Sequence, residues 1–177
     1  MGNQRGFTLA ELLITIVILA ILAGIGVPAL RDVVLSNRQT AAVNDLVTAL
    51  QVARSHAISR GEGRDLYTAA DPTVVVCASA DGASCGGGWE DGWIIFRDPD
   101  GDGSPAAGDG GVLRVFEGPR SQAISSGGVG IVRFRRDGRV GAPMSFTFCD
   151  ERGVAYGRSI NIDFTGRPST SKATVCP

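Results

Sequence analysis

From Leu12 to Leu30 the chain runs nineteen residues without a charge, and Thr15 is the single hydrogen-bonding side chain among them. That length matches the roughly 17–25 residues an α-helix needs to cross a bilayer. Immediately before the run stands Glu11. A carboxylate costs on the order of 2.5–3.5 kcal/mol at mid-bilayer and less toward the interface, so its presence implies a partner. A cleaved secretory signal fits poorly. The basic region is Arg5 alone, Glu11 interrupts the start of the apolar core, and cleavage would cut through a helical pattern.

The stretch Gly6-Phe7-Thr8-Leu9-Ala10-Glu11-Leu12-Leu13 resembles the class III signal of type IV pilins and type II secretion pseudopilins. The resemblance implies that a prepilin peptidase cuts after Gly6 and methylates the new N-terminus at Phe7. It also makes Glu11 the acid five places into the mature chain and Pro28 the kink of a long helix, with Ala10 where isoleucine is commoner. A carboxylate buried in a water-free bundle of such helices needs a cation beside it, because an unpaired buried charge is strongly destabilising. The α-amino group freed at Phe7 of a neighbouring subunit supplies one, and the pair acts as a register device. Gly24, Gly26 and Pro28 weaken the helix, since Pro removes a backbone hydrogen bond and Gly adds chain entropy.

Beyond Pro28 the apolar spacing changes. Val43, Leu46, Leu50, Ala53 and Ala57 recur at three- and four-residue steps and make one stripe, with Arg38, Asn44, Asp45, Thr48 and Arg54 off it. Arg60 and Gly61 are stop signals. The spacing predicts one helix from about residue 8 to 60, roughly 80 Å long at 1.5 Å per residue. The remainder reads as β: Thr73–Ala78, Gly92–Arg97, Val112–Glu117, Val129–Arg135, Met144–Cys149 and Ser159–Phe164 are rich in β-branched and aromatic residues. Met144, Phe146 and Phe148 alternate with polar residues, as do Ile160, Ile162 and Phe164, so each set implies one buried face. Asp137-Gly138 predicts a hairpin between Ile131–Arg135 and Arg139–Val140, and Ser125 to Gly130 reads as a loop. The chain divides into a leader (1–6), a transmembrane or filament-core half-helix (7–30), an amphipathic half-helix (31–60) and a β-rich head (61–177).

With Arg5 on the cytoplasmic side, the head lies on the periplasmic side of a bacterial inner membrane, against the weaker opposing signal of Arg31 and Arg38. In that oxidising compartment Cys77, Cys85, Cys149 and Cys176 are expected to pair. Three connectivities are open. Chain order favours Cys77–Cys85, closing a small turn loop, and Cys149–Cys176, tying down the tail. No CxxC pair occurs and the single histidine, His56, falls on the helix, which argues against zinc.

Val76-Cys77-Ala78-Ser79, Asp81-Gly82, Cys85, Trp89-Glu90-Asp91-Gly92-Trp93-Ile94-Ile95-Phe96 and Asp98-Pro99-Asp100-Gly101-Asp102-Gly103 resemble the GspH/FimT group of minor pilins and pseudopilins. That resemblance implies an α+β, type IV pilin-like fold: a long N-terminal helix packed on an antiparallel β-sheet head. It further implies a low-abundance structural subunit at or near a filament tip, acting in pilus assembly with other major and minor pilins. The same pattern is shared by a GspH-type pseudopilin of a type II secretion system. A third reading is a DNA receptor for natural transformation. Some FimT-type pilins carry a glycine-arginine-any-arginine motif in the tail; here Gly166-Arg167-Pro168-Ser169 has Ser169 in the second arginine's place. Lys172 lies three residues on as a further phosphate contact. The charge distribution is polar along the chain: residues 62–117 carry 11 acids and 3 arginines, residues 118–177 carry 9 bases and 4 acids. Such an asymmetry can orient subunits head to tail or offer a basic face to a polyanion, and it is also what an ordinary solvated surface of mixed charge carries.

Asp98, Asp100 and Asp102 followed by Gly103, with Asp109 at the twelfth place, match the start of a calcium loop, while Pro, Gly and Asp also build ordinary hairpin loops. No nucleophile elbow, P-loop or dinucleotide fingerprint is present, so nothing points to an enzyme.

Overall fold

The computed structural model describes residues 7–60, 73–106, 110–119 and 122–176. The N-terminal apolar run and the stripe beyond it form one helix, α1 (Leu9–Arg60), which continues through Pro28. The chain separates into two compact units, one ending at Asn37 and one running from Arg38. In the first, the side chains from Leu9 to Val34 are exposed on every face of the helix. The apolar stretch is long enough to cross a membrane.

The second unit is built on two four-stranded antiparallel sheets. The first, in the order β3-β2-β1-β5, contains β1 (Thr73–Ala78), β2 (Gly92–Asp98), β3 (Val112–Glu117) and β5 (Ile131–Phe134). The second, in the order β4-β6-β7-β8, contains β4 (Ala123–Ser125), β6 (Met144–Cys149), β7 (Arg158–Ile162) and β8 (Pro168–Lys172). The helical stripe of Val43, Leu46, Leu50, Ala53 and Ala57 is buried and shares a core with the inner faces of both sheets. Those faces contribute Val74, Val76, Trp93, Ile95 and Phe134 on one side and Phe146, Phe148, Ile160 and Ile162 on the other. Trp89 lies edge-on to Phe146 with ring centroids 4.7 Å apart, and its Nε1 donates to Val129 O at 2.7 Å. A buried indole N–H is usually paired in this way.

β1 and β2 read as unbroken apolar runs because both of their faces are covered. Val75, Cys77, Ile94 and Phe96 form a second small core on the outer face of the first sheet, with Cys85, Val112 and Ile131 against it. A strand buried on both sides has no reason to alternate.

Three expectations from the sequence are corrected. The Asp137-Gly138 turn forms, with Gly138 N donating to Arg135 O at 2.8 Å, but Arg139–Val140 is not a strand. Arg135 N donates to Arg139 O at 2.9 Å and closes the turn as a hairpin would, but the pairing stops there and Val140 N donates to Phe164 O at 3.4 Å. β7 ends at Ile162, and Phe164, expected on its buried face, is 57 % exposed because the chain has already turned. The Ser125–Gly130 loop begins inside a strand, as Ala123–Ser125 pairs with Thr147–Cys149. The sequence also gives no signal for β8, since Pro-Ser-Thr-Ser-Lys has no apolar member to mark a face.

Two helix side chains orient the helix on the sheets. The buried Gln39 donates Nε2 to Phe148 O at 3.1 Å, and Arg54 Nε donates to both Gly138 O and Thr165 O at 3.1 and 3.3 Å. The fifteen residue steps from one to the other span about 22 Å at 1.5 Å per residue. The head therefore has a Phe148 end, where the chain arrives from the apolar segment, and a Thr165 end.

Candidate assembly site and the two ends of the head

Phe7 and Thr8 precede the helix, and Thr8 is its N-cap. Thr8 Oγ1 accepts from Glu11 N at 3.3 Å, while Glu11 Oε2 accepts from Thr8 N at 2.9 Å and from Thr8 Oγ1 at 3.0 Å. This is a capping box, in which the cap and the third helical residue satisfy each other's backbone donors. The Thr8-x-x-Glu11 spacing is the signal by which the sequence could have disclosed it. Among the described residues Oε1 takes no bond, so the carboxylate is held by one oxygen and open at the other. Gly6 lies outside the described residues. Pro28 sits within the helix.

The structure joins Cys77 to Cys85 and Cys149 to Cys176. Inside the smaller loop, Asp81 caps the turn: its Oδ1 accepts from Ala83 N and Ser84 N, both at 2.8 Å, and its Oδ2 accepts from Ser84 Oγ at 2.7 Å. The Ser84 hydroxyl first, and then the two amides, hold its carboxyl well below the usual carboxylate range.

Asp98, Asp100 and Asp102 do converge, with carboxylate oxygens within 4.8 Å of one another. The buried Asp98 faces a cation of the chain itself, Arg133 Nε at 3.4 Å. Asp100 and Asp102 accept from Asp102 N at 3.3 Å and Ser104 N at 2.7 Å, as acids in tight turns do. Asp109 lies outside the described residues.

Arg167 and Lys172 are not brought together. Arg167 follows the turn at the Thr165 end, whereas Lys172 closes β8 opposite Arg158, beside the strand end that Phe148 occupies. Arg167 lies just before β8, and the five residue steps to Lys172 span about 16 Å at 3.3 Å per residue. Ser169 donates its hydroxyl to Asn161 O at 3.3 Å. Gly166 is required by the turn itself, because its φ is +71° and an added Cβ would collide with Gly138 O. Asp163 organises this turn by accepting from Thr165 N at 2.9 Å and Arg167 N at 3.4 Å. The Thr165 hydroxyl is the main cause holding the Asp163 carboxyl below its ordinary range. Sequence reasoning missed Gln39 and Arg54 as anchors. Gln39 was findable, being four residues before Val43 on the buried stripe, but Arg54 acquires its partners only when two distant turns meet.

A helix with an uncovered apolar N-terminal half and an antiparallel β head is the fold of the type IV pilins. The crystal structure of the type IV minor pilin FimU of Pseudomonas aeruginosa shares it, with a TM-score of 0.56 at 23 % identity over 80 % of this chain and 93 % of that one. A second crystal form of FimU superposes with a TM-score of 0.55 at 22 % identity, covering 78 % and 96 %. Residues 42–166 match the family described as type II transport protein GspH, and residues 1–27 match the prokaryotic N-terminal methylation motif. The chain belongs to the GspH family. It is 40 % identical over 72 residues to a fimbrial protein of Pseudomonas aeruginosa, 41 % of this chain and 45 % of that protein. It is 38 % identical over 73 residues to fimbrial protein Q of Moraxella bovis, 41 % and 46 % of the two chains. The chain thus spans a little under half the length of the curated relatives it matches.

Proposed function

We propose that the chain is a minor pilin of a type IV pilus: a structural subunit, not an enzyme, that acts in filament assembly at or near the tip. One observation carries the reading, an acid anchored by a capping box at the head of a helix whose apolar N-terminal half is exposed among the described residues. An uncovered apolar helix half needs either lipid or other helices around it. In the bilayer the lipid serves; in a filament the same half of neighbouring subunits replaces it. Prepilin peptidase releases the α-amino group at Phe7 by cutting after Gly6. That ammonium on one subunit meets the open Oε1 of Glu11 on the next and neutralises it where water is excluded. Before assembly the protein is single-pass in the inner membrane with a periplasmic head, a location that its two disulfides suit.

The description of the matching family favours a second reading, a pseudopilin of a type II secretion system. The FimU-like head supports the pilus. Intact-mass analysis of membrane-extracted protein tests the common core of both: the mature chain begins at methylated Phe7, and replacing Gly6 by a bulky residue leaves the precursor uncut. An N-terminus between Leu22 and Ala29 overturns both. The neighbouring genes separate the two, since pilus and secretion clusters differ in their remaining components.

A further inference from the structure

Arg158 and Lys172 stand directly opposite each other across β7 and β8, both exposed. Like charges in that position repel at a Cβ separation of about 5 Å, and no ion pair with either appears among the described residues. The surrounding turn and tail are tied into one pole by the Cys149–Cys176 disulfide and by Ala173 N donating to Gly157 O at 3.0 Å. Gly157 is packed so closely there that an added Cβ would lie 2.7 Å from Ala173 Cβ. The pole also exposes apolar surface: Val154 at 45 %, Tyr156 at 47 % and Val175 at 71 %. Arg152 reaches across the Tyr156 ring, its guanidinium carbon 4.2 Å from the centroid, while Asp150 holds its Nη2 at 2.7 Å.

A cation pair beside an exposed tyrosine and valines is the composition that settles at a lipid–water interface. The aromatic sits at headgroup level and the cations meet anionic phosphates. The pole is also the Phe148 end of the head, fixed to the helix through Gln39. Gln39 follows Leu30, the last residue of the apolar run, by nine residues, a tether that reaches no more than about 30 Å at 3.3 Å per residue. We infer that the Arg158–Lys172–Tyr156 pole docks on the surface of an anionic bilayer, making a second, reversible membrane contact that the subunit must break when it leaves for the filament. The inference rests on the membrane-anchored reading above.

The test uses the full chain in lipid nanodiscs. The native Trp89 and Trp93 are both buried in the core and give a shielded background. Tyr156→Trp places a reporter at the pole and Thr165→Trp one at the opposite end, read against a lipid spin-labelled at headgroup level. In phosphatidylglycerol discs at low salt the tryptophan at position 156 is quenched and the one at position 165 is not. In phosphatidylcholine discs, or in 0.5 M salt, the quenching disappears. Arg158→Gln and Lys172→Gln each lower the docked-to-undocked ratio about fivefold, the equivalent of about 1 kcal/mol per cation at an anionic surface. Hydrogen exchange of residues 153–158 in the unsubstituted chain gives the same comparison free of the reporter: slower in phosphatidylglycerol than in phosphatidylcholine. No quenching in phosphatidylglycerol, or quenching equal in both lipids and in the double Gln variant, overturns the docking. A chain that stays in the discs with the pole unquenched refutes the docking alone; one that leaves the discs refutes the anchored reading with it.

Discussion

Removing the Cys149–Cys176 disulfide, by Cys149→Ala with Cys176→Ala, is expected to destabilise the head by about 3.5 kcal/mol. The two cysteines are 27 residues apart. Constraining a loop of that length removes about 12 cal/mol/K from the unfolded ensemble, which is about 3.5 kcal/mol at 25 °C. For Cys77–Cys85, 8 residues apart, the same relation yields about 2.5 kcal/mol. The folded state widens the gap. The small loop is also held by Asp81 and by backbone bonds between Ala80 and Gly86 and between Gly86 and Ala78. The tail beyond β8 has one backbone hydrogen bond, from Ala173 to Gly157, among the described residues. Urea titration of the full chain in detergent reports the change through the fluorescence of Trp89 and Trp93, which are buried in the head. Heating should show a midpoint lower by roughly 10 °C for a unit of this size. A loss below about 1 kcal/mol at unchanged denaturant slope would refute the chain-entropy argument.

At the N-terminus, Thr8→Ala removes the cap hydroxyl, costs about 1 kcal/mol of helix initiation and leaves the Glu11 carboxylate less constrained; processing should be normal while incorporation into filaments falls. Thr8→Ser should restore incorporation, and equal incorporation of the Ala variant defeats the positioning role. The Asp150 carboxyl is held below its ordinary range first by the Arg152 side chain. Its folded pKa is thus depressed, so the stabilisation is present above the unfolded value of about 3.9 and is lost as the pH falls through the lower folded value. Head stability should fall below about pH 4, and Asp150→Asn should flatten that slope. The same substitution removes the carboxylate that holds Arg152 Nη2 at 2.7 Å and should cost about 1–3 kcal/mol at neutral pH. Gly166→Ala, with φ at +71° and Gly138 O where the methyl would go, should destabilise by at least about 2 kcal/mol. A shift under about 0.5 kcal/mol in a chemical melt would show that the two turns can separate freely.

Local chemistry makes much of this protein legible in its sequence. A nineteen-residue uncharged run can be little but a helix that wants lipid or other helices around it. A stripe at three- and four-residue steps fixes which side of α1 is buried, and alternation in Met144–Cys149 fixes the inner face of β6. These signals are periodicities within one element, so the chain carries them without reference to its neighbours. Tertiary structure decided what depends on distant partners. β8 is a strand because β7 offers it a ladder, not because Pro-Ser-Thr-Ser-Lys prefers one. β4 exists because Thr147–Cys149 needs a neighbour, and β1 and β2 lose their alternation because a second core covers their outer face. The spacing of charges followed the same rule. Arg167 and Lys172 are five apart in sequence yet belong to opposite ends of the head, whereas Arg158 and Lys172, fourteen apart, stand side by side. Sheet register alone decided which cations meet, because pairing in a sheet is a contact between segments and the chain's own order does not contain it.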